Sequence, residues 1–225
     1  MNIEVIEPKI RFITSLEGGE QHIERCGRVC YKSEDRINDD SAEKFVSKIC
    51  RNHHESVLEH MQATAIIVCS RSASHQLVRH RLGAYSQESQ RYVNYAKKGY
   101  QIIAPPWLEL EPKTYELEMS HEGMVFSSLN PGDFSPDASL FMRTCGEAFY
   151  SYERLLENGR PEDARYVLPN ACKTELAVTY NMRVWRHVIR ERALNKHAQW
   201  EIRGIFTRAY DILKFNIPSV FEDLE

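Results

Sequence analysis

The fold class that the sequence predicts is mixed α/β (α+β), as a single domain over residues 1–225 with a central mixed sheet flanked by helices. Segments with strand and helix patterns alternate along the chain, but without the regular spacing of repeated βαβ units. The length of 225 residues suffices to bury a substantial core, and 42% hydrophobic with 27% charged residues is typical of globular proteins.

The N-terminal part of the chain predicts strands first and helices second. β-Branched residues on both sides of Pro8 predict a strand pair, or one broken strand, over 2–14. Helical spacing of apolar residues predicts a helix over 19–31. Asp40 followed by Glu43 resembles a capping box and predicts a second helix over 41–52.

The central part predicts a buried strand over 62–69, whose sequence is QATAIIVC. Ser70 or Ser72 is suited to cap a helix over 72–81. Residues 82–99 lack a clear period and contain a glycine, so we predict a loop there.

The C-terminal part begins with a segment rich in proline and turn-forming residues, which predicts a surface loop over 127–137. Periodicity and the position of Pro161 then predict a series of elements: a helix over 138–158, a short helix from Pro161, a strand over 174–181, and helices over 182–191 and 197–215 that end before Pro218.

Composition narrows the class of protein. The 29 basic and 32 acidic side chains give a net charge of −3, which counts against a protein that coats nucleic acid. The chain lacks a signal peptide pattern and any apolar run near the ~18 residues of a membrane span, so we expect a cytoplasmic protein without a membrane partner. The six cysteines form no CxxC pattern and are expected to be reduced packing residues.

The densest polar segment runs from Arg79 to Tyr92. On the predicted helix, Gln76, Arg79 and His80 would share one face, and Arg91 follows in the predicted loop. Arginine binds phosphate through paired hydrogen bonds and amides can read the edge of a pyrimidine, so this combination suits a nucleotide. The alternative is a solvated helix face held by ion pairs.

A second cluster lies on the predicted helix over 182–191. Arg183, His187 and Arg190 would form one stripe, and Arg192 would point away from it if the helix continued that far. Two cations and a histidine can hold a pyrophosphate or an electron-rich ring. A helix surface paired with acidic side chains is an equally open interpretation.

Three histidines and two glutamates within residues 53–60 invite a metal interpretation. The spacing matches neither HExxH nor HxH, so no metal site is expected. His54 and Glu59 are better interpreted as residues of a site wall or a helix cap.

Two further residues matter for a catalytic interpretation. Arg165 precedes Pro169, which ends the local helix and would hold the arginine on a defined turn. Cys172 is the cysteine nearest to the arginine clusters, and we expect it to be a small buried residue rather than a nucleophile.

Together these segments resemble the flavin-dependent thymidylate synthases. The family's central motif is RHR, seven residues and then serine, which corresponds here to Arg79-His80-Arg81 and Ser89. The resemblance covers about residues 50–205. The chain departs from the longer family pattern RHRxxSxNExSxRY at Ala84, Ser86 and Gln87, where serine, asparagine and glutamate are usual. Elsewhere, His187 stands where asparagine is usual, and one extra residue lies between Arg192 and His197.

The resemblance implies a homotetramer with FAD at sites shared between subunits. It implies a dUMP pocket lined by Gln76, Arg79, Gln87, Ser89, Arg91, Arg165 and Arg192. The residues that it places around the flavin are His54, Arg79, His80, Arg81, Asn181, Arg183, His187 and His197.

The reaction that the resemblance implies is reductive methylation of dUMP to dTMP. Methylenetetrahydrofolate would supply the carbon, and NADPH would reduce FAD, which supplies a hydride. The expected catalytic residues are Arg192, which would stabilise negative charge on the uracil ring, and Ser89, which would position the nucleotide. No cysteine nucleophile is expected.

Two other functions remain as alternatives. One is an RNA- or nucleotide-binding module without catalysis, in which arginines bind phosphate and tyrosines stack on bases, although the net charge of −3 counts against it. The other is a different flavoenzyme that acts on nucleotides, for which no GxGxxG fingerprint is present in the sequence.

Overall fold

Two four-stranded sheets organise the residues that the computed structural model describes, which are 1–120, 123–126 and 134–224. The strands are β1 (Asn2–Val5), β2 (Lys9–Phe12), β3 (Gln62–Ser70), β4 (Ala84–Gln87), β5 (Tyr100–Ile102), β6 (Thr114–Ser120), β7 (Gly123–Phe126) and β8 (Lys173–Asn181). One sheet has the order β5-β1-β6-β7 and the other has the order β2-β3-β8-β4. The predicted mixed α/β class is confirmed, but the single central sheet is corrected to two.

Pro8 explains why the N-terminal strands separate. Proline lacks the N–H that a sheet ladder needs, so the chain leaves β1 before it and begins β2 after it in the other sheet. β1 pairs in parallel with β5 and antiparallel with β6, which makes this sheet mixed.

The helices are α1 (Gly19–Tyr31), α2 (Ser41–Arg51), α3 (Arg71–Leu77), α4 (Tyr95–Lys98), α5 (Pro136–Leu156), α6 (Pro161–Ala164), α7 (Met182–Ile189), α8 (Trp200–Asn216) and α9 (Pro218–Phe221). Short 3₁₀ turns occur at Glu34–Arg36, Glu55–His60, Pro106–Leu108 and Arg165–Val167, and a π-turn occupies Arg190–Leu194. Within the described ranges, no helix combines the length and the apolar character that crossing a membrane requires.

The contacts divide the chain into two compact units. The first unit comprises Met1–Pro8, Val68–His75 and Gln87–Glu175, and the second comprises Lys9–Ile67, Gln76–Ser86 and Leu176–Glu225. The single-domain assignment over 1–225 stays a prediction.

In the first unit, α5 buries a stripe against the sheet. Met142, Cys145, Phe149 and Tyr152 are spaced three and four residues apart, which is the period of one helix face, and all four are buried. The ring of Tyr100 on β5 stacks on Phe149, with 4.4 Å between ring centroids. Burial of these aromatic rings contributes to the apolar stabilisation of this unit.

In the second unit, the core centres on Trp185 of α7. Its ring is fully buried and packs against Phe12, Tyr180 and Phe206. The indole Nε1 donates to the carbonyl oxygen of Ala63 at 3.2 Å, so the polar atom of this large side chain is satisfied.

Next to Trp185, the guanidinium of Arg186 is 0% exposed and lies in a network of acceptors. It donates two bonds to the Asp223 carboxylate at 2.6 and 2.7 Å and one to Glu55 Oε1 at 3.1 Å. The carbonyl oxygen of Val220 accepts a further bond. These bonds join α7 to the Glu55–His60 turn and to the C-terminal segment of the same unit.

Burial raises the pKa of the Asp223 carboxyl, but the hydrogen bond and charge of Arg186 outweigh burial and hold that pKa below its ordinary value. A folded-state pKa below the unfolded one stabilises the fold above the pH at which the unfolded carboxyl titrates, about 3.9. This contribution is lost as the pH falls through the folded-state pKa.

Several predicted elements match the structure, and others do not. Helix α1 has the predicted bounds, and strands β3 and β8 and the short helix from Pro161 are present. The helix predicted over 72–81 ends at Leu77, and 82–99 is not a loop, because β4 joins the edge of the sheet beside β8 and α4 follows. Residues 127–133 of the predicted surface loop lie outside the described ranges.

The Arg186 network generates a stability prediction. Asp223→Ala should lower the free energy of unfolding by about 3 kcal/mol, because it leaves a fully buried guanidinium without its main partner. Denaturant unfolding followed by circular dichroism measures the change. The matched control is Glu157→Ala, which breaks an ion pair with Arg154. The side chains of Arg154 and Glu157 are 60% and 52% exposed, so this change should lower the free energy of unfolding by less than about 1 kcal/mol. Equal losses in both variants would contradict the structural role of Arg186.

Candidate functional site

The RHR segment lies on a turn after α3, not on a helix. The backbone N–H of Arg79 donates to the carbonyl oxygen of Gln76, and that of His80 donates to the carbonyl oxygen of Leu77. The N–H of Gly83 donates in turn to the carbonyl oxygen of His80. The predicted helix face of Gln76, Arg79 and His80 is therefore wrong. Arg79 and Arg81 are both exposed on this turn and can reach a ligand.

Two tyrosines explain why the helix stops at this point. The Tyr85 hydroxyl lies 3.0 Å from the Leu77 carbonyl oxygen and 2.7 Å from that of His80, so it can donate to the carbonyls that a longer helix would have used. Tyr85 in turn bonds Tyr180 at 2.6 Å. A Cβ added at Gly83 would come within 2.1 Å of the Tyr180 ring, so a glycine is required where the turn passes β8.

The His80 ring lies beside Arg192 and His187 in the second unit. Arg192 Nε donates to His80 Nε2 at 3.0 Å, and the rings of His80 and His187 meet edge to face at 6.0 Å. Burial, reinforced by the charges of Arg192 and His187, lowers the pKa of His80 to about 4. His80 is therefore a neutral acceptor at Nε2 with its proton on Nδ1.

The π-turn Arg190–Leu194 places Arg192 in this cluster. In a continuing α-helix, Arg192 would point away from Arg183 and His187, as the sequence predicts. A π-turn closes its hydrogen bonds over five residues instead of four, which turns Arg192 toward the side of His187. The sequence placed Arg192 away from the stripe only if the α-helix continued that far, and that condition is not met.

The two other arginines of the predicted stripe are held by glutamates. Arg183 bonds Glu59 at 2.6 Å, and Arg190 lies 3.5 Å from Glu55. The ion-pair interpretation is therefore correct for these contacts. Both arginines remain about half exposed, at 52% and 41% of the side chain, so they can also exchange a carboxylate for an anionic ligand.

The remaining residues of the predicted flavin set also lie in the second unit. Asn181 caps α7, since its side-chain oxygen accepts from the N–H of Val184 at 2.9 Å and its amide nitrogen remains as a donor. The His54 ring is exposed and meets the Tyr31 hydroxyl at 3.3 Å. His197 is exposed on the segment before α8. Exposed guanidinium groups together with imidazoles and a free amide donor are the chemistry that holds a dinucleotide pyrophosphate and a polar ring, so this donor set fits FAD.

In the first unit, two of the predicted phosphate-binding residues meet at Glu162. Arg91 Nη2 lies 3.5 Å from the Glu162 carboxylate, and Arg165 Nε donates to the Glu162 carbonyl oxygen at 3.1 Å. Ser89 Oγ accepts from the N–H of Arg91 at 3.3 Å, which fixes the turn that carries the arginine. Arg160 also lies 3.8 Å from Glu162, and its proximity was not predicted from the sequence. A phosphate could replace the partly exposed Glu162 carboxylate beside Arg91 and Arg160.

The side chain of Gln87 is held by hydrogen bonds to two hydroxyl groups of the first unit. Its Nε2 donates to Ser74 Oγ and to Thr174 Oγ1, both at 3.1 Å. Both amide hydrogens are therefore used, and the side-chain oxygen remains as the acceptor for a ligand. Ser74 and Thr174 lie 13 and 87 positions from Gln87 in the chain, and no local pattern could have identified them.

The cysteines divide between core and surface. Cys172 is 1% exposed, and burial raises the pKa of its thiol to about 12. Burial raises the pKa of Cys50 and Cys145 to the same value. Cys30 is exposed on α1, which corrects its predicted packing role. Across the described ranges, no three histidine, cysteine or acidic side chains cluster closely enough to hold a metal ion.

Comparisons with known proteins converge on one family. The family model described as thymidylate synthase complementing protein matches residues 11–219. The flavin-dependent thymidylate synthase of Geobacter sulfurreducens is 34% identical over 223 residues, which cover 96% of this chain and 86% of that protein. The enzyme of the same name from Mycolicibacterium vanbaalenii is 36% identical over 222 residues, which cover 97% of this chain and 84% of that protein.

A solved structure shares the fold. The UMP/dUMP methylase PolB from Streptomyces cacaoi, bound with 5-Br UMP, superposes with a TM-score of 0.73 and 24% sequence identity. The alignment covers 98% of this chain and 95% of that one.

The arrangement at Glu162 generates a binding prediction. Glu162→Gln should strengthen the binding of inorganic phosphate about two- to fivefold, because it removes the carboxylate that competes for Arg91 and Arg160. Isothermal titration calorimetry measures the affinity. Glu157→Gln removes an equal charge at a pair with Arg154 and should leave the affinity unchanged. Equal strengthening in both variants would show an effect of net charge alone.

Proposed function

The chain belongs to the flavin-dependent thymidylate synthase family, and we propose that it catalyses the reductive methylation of dUMP to dTMP. The observation that carries this proposal is the family match over residues 11–219, within which two of the arginines expected to bind substrate, Arg91 and Arg165, both contact Glu162. The proposed carbon donor is methylenetetrahydrofolate, and the proposed source of reducing equivalents is NADPH.

The first unit would bind the 5′-phosphate of dUMP. Arg91 contacts the Glu162 carboxylate and Arg165 contacts the Glu162 backbone carbonyl, and each guanidinium can donate paired hydrogen bonds to phosphate oxygens. Ser89 would add a hydroxyl beside Arg91, and Gln87 would offer its side-chain oxygen to a donor on the pyrimidine.

The second unit, taken by itself, contains the residues that we assign to the flavin, together with Arg192. Arg192 uses Nε to bond His80, so its two terminal nitrogens remain to stabilise negative charge on the uracil ring. Gln76 and Arg79 are the other residues of this unit that we assign to dUMP. When bound, FAD supplies the hydride of the reduction.

The residues that we assign to FAD are His54, Arg79, His80, Arg81, Asn181, Arg183, His187 and His197. Their side chains would orient the cofactor through charge-assisted contacts with its pyrophosphate and through the imidazole rings. We further propose that the chain assembles as a homotetramer in which FAD sites are shared between subunits.

Ser89 would position the nucleotide instead of attacking it. Its hydroxyl oxygen bonds the backbone N–H of Arg91, and a serine nucleophile needs a neighbouring general base to remove its proton. In the part of the chain that the structure describes, the Ser89 hydroxyl has no hydrogen bond to such a base.

The function is tested by dTMP formation from dUMP, methylenetetrahydrofolate and NADPH with FAD-loaded protein. Arg91→Ala and Arg165→Ala should each weaken dUMP binding by about 1.5–3 kcal/mol, since each removes a charge-assisted contact. The flavin absorbance per protein should be unchanged, and Arg154→Ala, an exposed arginine of α5, should behave as wild type. A purified protein that binds neither flavin nor dUMP would refute the proposed function.

Catalysis should not depend on Cys172. Its thiol is buried with a pKa of about 12, so almost none of it is thiolate near neutral pH, and Cys172→Ala removes only a small core side chain. The dTMP rate of this variant should stay within about tenfold of wild type. Loss of all activity, with flavin content and circular dichroism intact, would assign a nucleophilic role to the thiol and contradict the hydride mechanism.

A further inference from the structure

We propose that His80 is a positioning residue, whose Nε2 holds the guanidinium of Arg192 in the orientation that meets the pyrimidine. The proposal concerns the second unit alone and rests on the proposed function only where it names dUMP as the ligand of Arg192. His80 thereby has a role beyond the flavin contact assigned above.

The geometry supports an acceptor that orients Arg192. A long arginine side chain on a turn samples many rotamers, and each bond that holds the guanidinium reduces this freedom before a ligand arrives. The 3.0 Å bond from Arg192 Nε to His80 Nε2 uses the inner edge of the guanidinium. The two terminal nitrogens stay as the donors for a ligand.

His80 is itself held in place, as a positioning residue must be. The Tyr85 hydroxyl bonds its carbonyl oxygen at 2.7 Å, and Tyr180 of β8 bonds Tyr85 at 2.6 Å. His187 of α7 packs edge to face against the imidazole. The backbone of His80 is therefore held by β4, which β8 supports through Tyr180, and its ring is contacted by α7 and the π-turn.

The charges that face His80 favour its neutral form. Arg192 approaches from the π-turn and His187 from α7, whereas Tyr85 of β4 and Tyr180 of β8 are uncharged, and burial raises the pKa of both hydroxyls. A proton on Nε2 would remove the acceptor and set two cations against each other. Because the pKa of His80 is about 4, the ring stays neutral through the range of about pH 5–8 in which most histidines titrate.

A titration without ligand tests the contact itself. In protein with ¹⁵N-labelled histidine, the His80 ring should show an unprotonated Nε2 and a pKa of about 4. Arg192→Leu removes the donor and the charge, so the pKa of His80 should rise, though burial keeps it below the ordinary value of about 6.5. Arg183→Leu is the matched control on the neighbouring helix, and should leave that pKa unchanged because Arg183 pairs with Glu59.

A double-mutant cycle tests the positioning role. With binding normalised to flavin content, His80→Leu should weaken dUMP binding about tenfold, and His80→Gln, whose side-chain oxygen can accept from Arg192, should recover most of the loss. In an Arg192→Ala background, His80→Leu should change the affinity less than about twofold, because His80 acts through Arg192. His75→Leu, at an exposed histidine of α3, controls for the loss of an imidazole.

Three results would overturn the proposal: an unchanged His80 pKa in Arg192→Leu, equal losses in His80→Leu and His80→Gln, or full additivity of His80→Leu with Arg192→Ala. If the wild-type protein binds no dUMP, the proposed function fails. The titration still decides whether Arg192 is held by His80, since it uses no ligand.

Discussion

The buried guanidinium of Arg186 is the constraint on which the arrangement of the second unit depends. A charge taken out of water is tolerated only when it is fully paired, and Arg186 has Asp223, Glu55 and the Val220 carbonyl as acceptors. Together with the packing of Trp185, these bonds determine how α7 is rotated. With residues 185 and 186 turned inward, Arg183, His187 and Arg190 face outward.

The end of α7 shows how a local change of helix geometry creates a site. A straight α-helix would separate Arg192 from His187, whereas the π-turn brings Arg192 to the His80 ring. π-Turns are energetically unfavourable relative to α-helix and are frequent at functional sites. The Tyr85–Tyr180 pair completes this arrangement, because it ends α3 early and holds the RHR turn beside β8.

The arginines of this chain divide into three roles that their contacts distinguish. Arg186 is structural, because its side chain is fully buried and its partners Glu55 and Asp223 belong to the same unit. Arg91 and Arg165 both contact the partly exposed Glu162, whose carboxylate beside Arg91 can be exchanged for a phosphate. Arg192 bonds a neutral imidazole instead of a carboxylate, so its positive charge is not cancelled and remains available to a substrate.

Local sequence patterns predicted the elements that are specified by the spacing and type of their own residues. The apolar spacing of α1, the buried runs of β3 and β8 and the proline that opens α6 are all present as predicted. The order of the RHR turn, Arg165 and Arg192 along the chain was also sufficient to identify the family, because it requires no knowledge of distances.

Only the tertiary structure decided the features that depend on residues far apart in the chain. Strand β4 has no strong period and forms because β8 offers a sheet edge, and α3 ends where a tyrosine from the following strand reaches its carbonyls. The direction of Arg192 depends on a π-turn, and the orientation of Gln87 depends on Thr174, 87 positions away. A periodic pattern records which face of a segment is apolar, but it contains no information about which distant side chain will supply the hydrogen bond.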